Sequence, residues 1–321
     1  MLFLLAGIGL CILIYRIVTV FLWIYLDCNI ELFLKATFGK EISTLGGKVI
    51  WITGASSGIG RSLALLLASH GVKLAISARR LDELQKLKDE CLHMSAGKLR
   101  EKDILVLRMD LLEIAKHEEA FERVLKHFSR LDVLVNNAGR GQRASWLDID
   151  LNVDKALFEL NVFSPVHLTR IVVKYFLENK IEGQIAVNSS FAALVAAPNM
   201  SSYVGAKSAV NGYFQALKIE HPEIKNTLFC VGPTFTTIQE EAFTDRVSEK
   251  CGKPLKVTDK RLSSDRTAFL FAAAIANATD VSWAGLFPFT LLVYLRDYPQ
   301  LLTIAMRLMN WTACKPELQG K

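Results

Sequence analysis

Along the chain, short apolar runs alternate with amphipathic stretches, a pattern that predicts repeating strand–helix units. Val49–Thr53 is an apolar run ending in a glycine-rich turn, and Ser62–Ser69 behind it reads as a helix. Val72–Ser77 predicts a second strand, and Leu81–Met94 a charged helix with Leu81, Leu84 and Leu87 at helical spacing. Ile104–Met109, Leu131–Val135, Gln184–Val187 and Thr227–Val231 predict further strands. Between them, His117–Phe128, the long stretch Asn152–Leu177 and Ser201–Glu220 predict helices, the last stopped by Pro222. Strands joined through helices pair in parallel by right-handed crossovers. The expected fold is therefore α/β, a doubly wound parallel sheet of Rossmann-like, single-domain form.

The beginning of the chain breaks this pattern. From Leu2 to Leu26 the sole charge is Arg16. As a helix this stretch would span about 37 Å, against a hydrocarbon core of about 30 Å. Trp23 and Tyr25 near its far end suit a membrane interface, and it shows none of the marks of a cleaved signal peptide. The expected organisation is a membrane-anchor helix in lipid over residues 1–27 and a linker over 28–46. A Rossmann-like domain follows over 47–266, then an apolar extension over 267–321. That extension carries Trp283, Phe287, Phe289 and Tyr294, and reads as core, substrate pocket, dimer face or shallow membrane contact.

Composition narrows the function classes. Half of the 321 residues are hydrophobic (51%) and the mean hydropathy is +0.27, which excludes a disordered chain. The net charge of +6 (38 basic against 32 acidic residues) comes without a run of five Lys or Arg, so no nucleic-acid partner is expected. Six cysteines form no CxxC, and six histidines show no metal-ligand spacing, so neither a disulfide framework nor a metal is expected.

The candidate chemistry begins at Thr53-Gly54-Ala55-Ser56-Ser57-Gly58-Ile59-Gly60, between a strand and a helix. Gly54 lets the chain turn, Gly58 lets backbone approach a pyrophosphate, and Gly60 lets helix pack on strand. Phosphates would then meet free N–H groups at a positive helix end. The second strand ends in Ser77-Ala78-Arg79-Arg80 with no carboxylate until Asp82. A guanidinium fork suits a ribose 2′-phosphate, although both arginines also read as the solvated start of a charged helix. Tyr203 and Lys207 stand four residues apart on one helix face, where a cation favours the phenolate of an acid–base tyrosine.

Taken together these motifs resemble the short-chain dehydrogenase/reductase family over roughly Lys48 to Pro233. TGxxxGxG matches its cofactor loop, Asn136-Asn137-Ala138-Gly139 its NNAG, and Tyr203–Lys207 its YxxxK. Ser190, 13 residues before Tyr203, and Asn161 match the remaining catalytic positions. The resemblance implies an oxidoreductase in which Tyr203 exchanges a proton with the substrate oxygen and Ser190 hydrogen-bonds that oxygen. Lys207 would hold the nicotinamide ribose, and Asn161 a relay water. It also implies cofactor contacts from Asp110-Leu111 at the adenine, from Asn137, Ala138 and Gly139 along the cleft, and from Pro233, Thr236 and Thr237 at the carboxamide. With Arg79 and Arg80 the cofactor is expected to be NADP(H). Two departures occur: the family's Pro-Gly is Pro233-Thr234, expected to crowd the nicotinamide, and SSxxG reads Ser189-Ser190-Phe191-Ala192-Ala193.

Within the family the chain looks most like its membrane-anchored member 7 group, similar to the anchored hydroxysteroid dehydrogenases. This implies reduction of lipophilic carbonyl substrates such as steroids or retinoids at the endoplasmic reticulum, by a homodimer. The alternatives are an NADP-binding tethered scaffold or redox sensor, and the same chemistry run as alcohol oxidation.

Overall fold

A computed structural model describes residues 7, 9, 14, 18, 21, 22, 24–256 and 258–309. Most of the expected anchor lies outside the described residues. Seven strands form one sheet: β1 (Val49–Thr53), β2 (Lys73–Ala78), β3 (Ile104–Arg108), β4 (Val133–Asn136), β5 (Gln184–Ser190), β6 (Lys225–Val231) and β7 (Val281–Ala284). Their order is β3-β2-β1-β4-β5-β6-β7 and every pairing is parallel. The order reverses between β1 and β4. At that switch point, diverging loops leave a crevice outside the carboxyl ends of the strands.

Both sheet faces are covered, so β1 reads as a continuous apolar run and is buried at every residue. Alternation still assigns each side chain to a face. Ile50 and Ile52 join Leu63 and Leu67 of α2 (Gly58–Ser69), with Phe271 of a later helix stacked on Phe229 at 4.7 Å. Val49 and Trp51 face the other way, toward Phe121 of α4 (His117–Phe128) and Phe176 and Phe214 beyond it. α3 (Leu81–Met94) buries Leu84 and Leu87 and leaves Leu81 exposed, so only part of its leucine stripe is core. The expected long helix is α5 (Leu151–Phe158), a π-helical turn Glu159–Phe163, and α6 (Ser164–Glu178). By length and composition this run would cross a membrane, but more than half of it is buried inside the fold.

The domain is larger than its sequence-derived limits. The boundary placed between residues 266 and 267 falls inside α8 (Ser264–Asn277), which packs on α2, and β7 completes the sheet beyond it. A four-residue strand is too short to announce itself by alternation. The linker expected over 28–46 is also built into the fold: α1 (Ile30–Phe38) buries Leu32 against α8. Cys28 bridges Ala284, Asn29 N–H donates to the Trp283 carbonyl at 3.0 Å, and Asp27 pairs with Arg266 at 2.7 Å. α7 (Ser201–Glu220) follows β5, and α9 (Phe289–Tyr294) and α10 (Pro299–Leu308) close the described chain.

Candidate active site

The crevice begins at the glycine-rich turn. Gly54 takes φ +66°, and a Cβ there would stand 2.7 Å from the Ala138 Cα, so the turn and the segment after β4 touch backbone to backbone. Thr53 Oγ1 donates to the Val135 carbonyl (3.2 Å) and accepts from the Asn137 and Ala138 N–H groups (3.1 and 3.3 Å). Asn137 returns the tie, its Nδ2 donating to the Thr53 and Gly54 carbonyls at 3.0 and 3.2 Å. Asn188 Nδ2 then donates to Asn137 Oδ1 at 2.9 Å, and Asn136 Nδ2 to Thr169 Oγ1 at 2.8 Å. Amide side chains thereby lock the ends of β1, β4 and β5 in register, which leaves the first N–H groups of α2 facing open space.

That space is a trough of about 470 Å³. Gly54, Ser56, Ser57, Gly58, Ile59, Ala138 and Gly139 form its floor, Asp110 and Leu111 one end, and Thr236 and Thr237 its cover. Arg79 and Arg80 sit at the rim, with Arg80 Nη2 donating to Ser56 Oγ at 3.1 Å. Asp110 Oδ1 accepts from the Leu112 N–H at 3.1 Å, which fixes its turn. Thr53 and Gly60 lie behind the trough: a Cβ on Gly60 would meet Asn137 Nδ2 at 2.4 Å. Two cations here have no sequence signal. Arg140 lines the trough with its guanidinium 4.5 Å over the Phe243 ring, pushed down by burial and by neighbouring Arg79. Lys250 lines it from the far loop, paired with Glu241 at 2.7 Å. Donor N–H groups, cations at one end and a glycine-lined floor fit a dinucleotide. Asn188 Oδ1, buried without a partner beside it, is a further acceptor in place.

A second cavity of about 620 Å³ adjoins the trough, and Ile59, Asn137, Gly139, Asn188, Thr236 and Ile238 border both. Ser190, Tyr203 and Lys207 face it, and Phe191, Val195, Leu292 and Val293 make it apolar. The expected apolar extension thus supplies both core and cavity wall. Tyr203 and Lys207 stand one turn apart on α7, both buried, with Lys207 Nζ 5.9 Å from the Tyr203 ring centre. Lys207 Nζ donates to the Asn188 carbonyl at 2.9 Å. Ser190 is the last residue of β5, and its Oγ accepts from the Ala192 N–H at 3.1 Å. Asn161 sits one layer back, in the π-helical turn. Its amide exchanges hydrogen bonds with both backbone groups of Arg140 (2.9 and 2.8 Å), and it lies beside Gly139 on the Lys207 side.

Burial raises the Tyr203 phenol above its ordinary value, opposed by a hydrogen bond from Ser190 and by the Arg143 guanidinium. The Arg143 guanidinium thus joins Lys207, 5.9 Å from the ring centre, as a second cation near the phenol. Lys207 is itself pushed down to about 8 by burial. Pro233 and Thr234 line the second cavity and not the trough. The Thr234 hydroxyl is tied to the Gly232 carbonyl (3.1 Å) and Thr267 Oγ1 (3.3 Å), so it points into the fold rather than crowding the crevice.

A doubly wound sheet with a glycine cradle at its switch point, opening into a cavity that holds a Tyr–Lys pair, defines a nicotinamide-dependent oxidoreductase. The chain belongs to the short-chain dehydrogenase/reductase family, whose model, described as short chain dehydrogenase, matches residues 48–247. It is 36% identical over 293 residues to "Dehydrogenase/reductase SDR family member 7" of Homo sapiens, covering 90% of this chain and 85% of that protein. It is 34% identical over 195 residues to "11-beta-hydroxysteroid dehydrogenase-like 4A" of Arabidopsis thaliana, covering 60% of this chain and 63% of the relative. Among solved structures, a short chain dehydrogenase/reductase from Burkholderia phymatum in complex with NAD superposes with a TM-score of 0.69. It is 25% identical and covers 81% of this chain and 96% of its own.

Proposed function

We propose that this oxidoreductase reduces the carbonyl group of lipophilic substrates with NADPH, using Tyr203 as general acid. The observation that carries the proposal is the junction of the two cavities, where a phenol, a serine and a lysine meet beside the glycine cradle. The cradle, Asp110 and Gly139 would hold the dinucleotide, and Arg79 with Arg140 its 2′-phosphate. The nicotinamide supplies the hydride when bound. Tyr203 gives its proton to the substrate oxygen as negative charge develops there, while Ser190 donates a hydrogen bond to the same oxygen. Lys207 holds the nicotinamide ribose and stabilises the phenolate. Asn161 keeps the Arg140 backbone and the Lys207 side of the cleft in place for proton return from solvent.

The apolar walls support a greasy substrate, in keeping with the hydroxysteroid in the Arabidopsis relative's name. An anchor over residues 1–27 is supported by the single charge between Leu2 and Leu26 and by the exposure of Ile14, Val18, Phe21, Ile24 and Tyr25. The endoplasmic reticulum is the membrane that the resemblance suggests. The test is NADPH oxidation by detergent-solubilised protein across steroids, retinal and simple aldehydes, with Tyr203→Phe as control. Turnover lost in the control supports the mechanism; a fully active control removes it, and tight NADPH binding without any turnover favours a scaffold.

A further inference from the structure

The substrate cavity holds a cation that no carboxylate among the described residues pairs with. Arg143 follows β4 in a segment pinned on two sides: its N–H donates to the Phe243 carbonyl at 2.8 Å, and the Ala144 N–H to the Asn199 carbonyl at 3.1 Å. The half-buried side chain lines the cavity. Its Nη1 donates to the Gln142 carbonyl at 2.9 Å, and among the described residues no carboxylate lies within ion-pairing distance of it. The other cations of the cavity are accounted for. Arg261 Nε pairs with Asp259 at 3.2 Å and its Nη2 donates to Gln239 at 3.3 Å, Lys207 donates to Asn188, and Lys260 stands exposed at the mouth.

A guanidinium carries five N–H donors in a rigid fork, and here most of that fork is unused. Burial disfavours its charge and Arg261 adds repulsion, while the groups that favour it are the phenol of Tyr203 and the thiol of Cys251, both neutral when protonated. A cation held in this way normally has a buried partner, because its desolvation is not otherwise offset. The cavity wall formed by Phe191, Val195, Leu292 and Val293 offers none.

We infer that the partner is the substrate itself: a lipophilic oxo acid whose carboxylate occupies the Arg143 fork while its carbonyl faces Tyr203. One carboxylate matches the one unpaired cation inside among the described residues; a phosphate dianion would need a second, and Arg261 is already engaged. The inference rests on the reductase reading for the carbonyl, but the anion site is separable from it.

The test is binding, not turnover. Detergent-solubilised full chain saturated with NADP+ is titrated calorimetrically with hydrocinnamate and with its neutral counterpart hydrocinnamamide. The wild type should bind the carboxylate at least about tenfold more tightly, the usual range for a charge-assisted hydrogen-bonded pair. Arg143→Gln should bring the two ligands within about twofold, and Arg143→Lys should keep part of the preference because it keeps the charge but not the fork. Equal or unmeasurable binding of both ligands by wild type overturns the inference, as does a preference that survives Arg143→Gln. Carboxylate preference in a protein that reduces no carbonyl would remove the reductase reading and keep the anion site. Reduction of neutral carbonyls without carboxylate preference would do the reverse. In that case Arg143 acts on Tyr203 alone, and Arg143→Gln should move the pH profile of neutral-substrate turnover.

Discussion

Lys207→Met should make the cofactor-free protein more stable at neutral pH while removing its chemistry. Burial holds the Lys207 ammonium down to about 8, against an ordinary 10.5. At about 1.4 kcal/mol per pH unit, keeping it charged at neutral pH costs the fold on the order of 3 kcal/mol. The folded pKa lies below the unfolded one, so between those values the unfolded chain binds more protons and stability rises with pH. Below about 8 the whole cost is present. Methionine removes it, and loses the hydrogen bond to the Asn188 carbonyl, worth about 1 kcal/mol. The net gain at neutral pH is about 2 kcal/mol, a rise of several degrees in melting temperature for a domain of this size. Near pH 10 the gain should vanish and the lost hydrogen bond should leave the variant slightly weaker. Thermal unfolding of both proteins without cofactor, followed by near-ultraviolet circular dichroism at neutral and alkaline pH, reads this difference directly. A difference that is constant with pH, or of opposite sign at neutral pH, refutes the reasoning.

Tyr203→Phe should lower turnover by about a thousandfold or more while leaving the NADPH dissociation constant within about twofold, read by steady-state kinetics and fluorescence titration. Arg79→Glu should cut the preference for NADPH over NADH by about tenfold to a hundredfold, since it removes a charge-assisted contact from the trough rim and adds a repulsive one; unchanged relative affinities would count against a phosphate role. Gly60→Ala should weaken cofactor binding more than about tenfold, because the new Cβ would stand 2.6 Å from the Gly54 carbonyl and 2.4 Å from Asn137 Nδ2, and binding equal to wild type would show that the cradle yields.

Legibility divided along a physical line. The strand–helix alternation, the glycine turn and the Tyr–Lys pair are local patterns, and local patterns survive in a bare sequence. Thr53, Gly54 and Asn137 could be singled out by motif, yet their reciprocal hydrogen bonds bring together groups more than 80 positions apart. What was missed is nonlocal in just this way. β7 is recognisable only through its pairing with β6, and α1 reads as linker until Asn277 donates to the Lys40 carbonyl and Asn29 pairs with Trp283. Arg140, Arg143 and Lys250 carry no spacing signal, because their significance comes from the cavities they enter. At Tyr203 the helix spacing predicts one neighbouring cation, and the structure holds two. Helix geometry places Lys207 beside it, where the ammonium also donates to the Asn188 carbonyl, and a second cation, Arg143, arrives from the loop after β4.

The presence of this second cation bears on the proposed chemistry. Lys207 and Arg143 are both held below their ordinary values by burial, and the Tyr203 phenol is held above its own. In each case burial opposes the charged form, and the two cations are relieved by one event: negative charge appearing on the phenol or on an oxygen beside it. Electrostatic attraction is strongest where water is excluded, so two unneutralised cations favour that charge more here than they would in solvent. Neutralising either cation in the ground state, with a nearby Asp or Glu, would ease the fold and lower the advantage of the charged state in the same measure. That no carboxylate among the described residues pairs with Arg143 fits the proposed reaction, in which the anion comes and goes as a phenolate, a developing alkoxide or the carboxylate of a bound substrate.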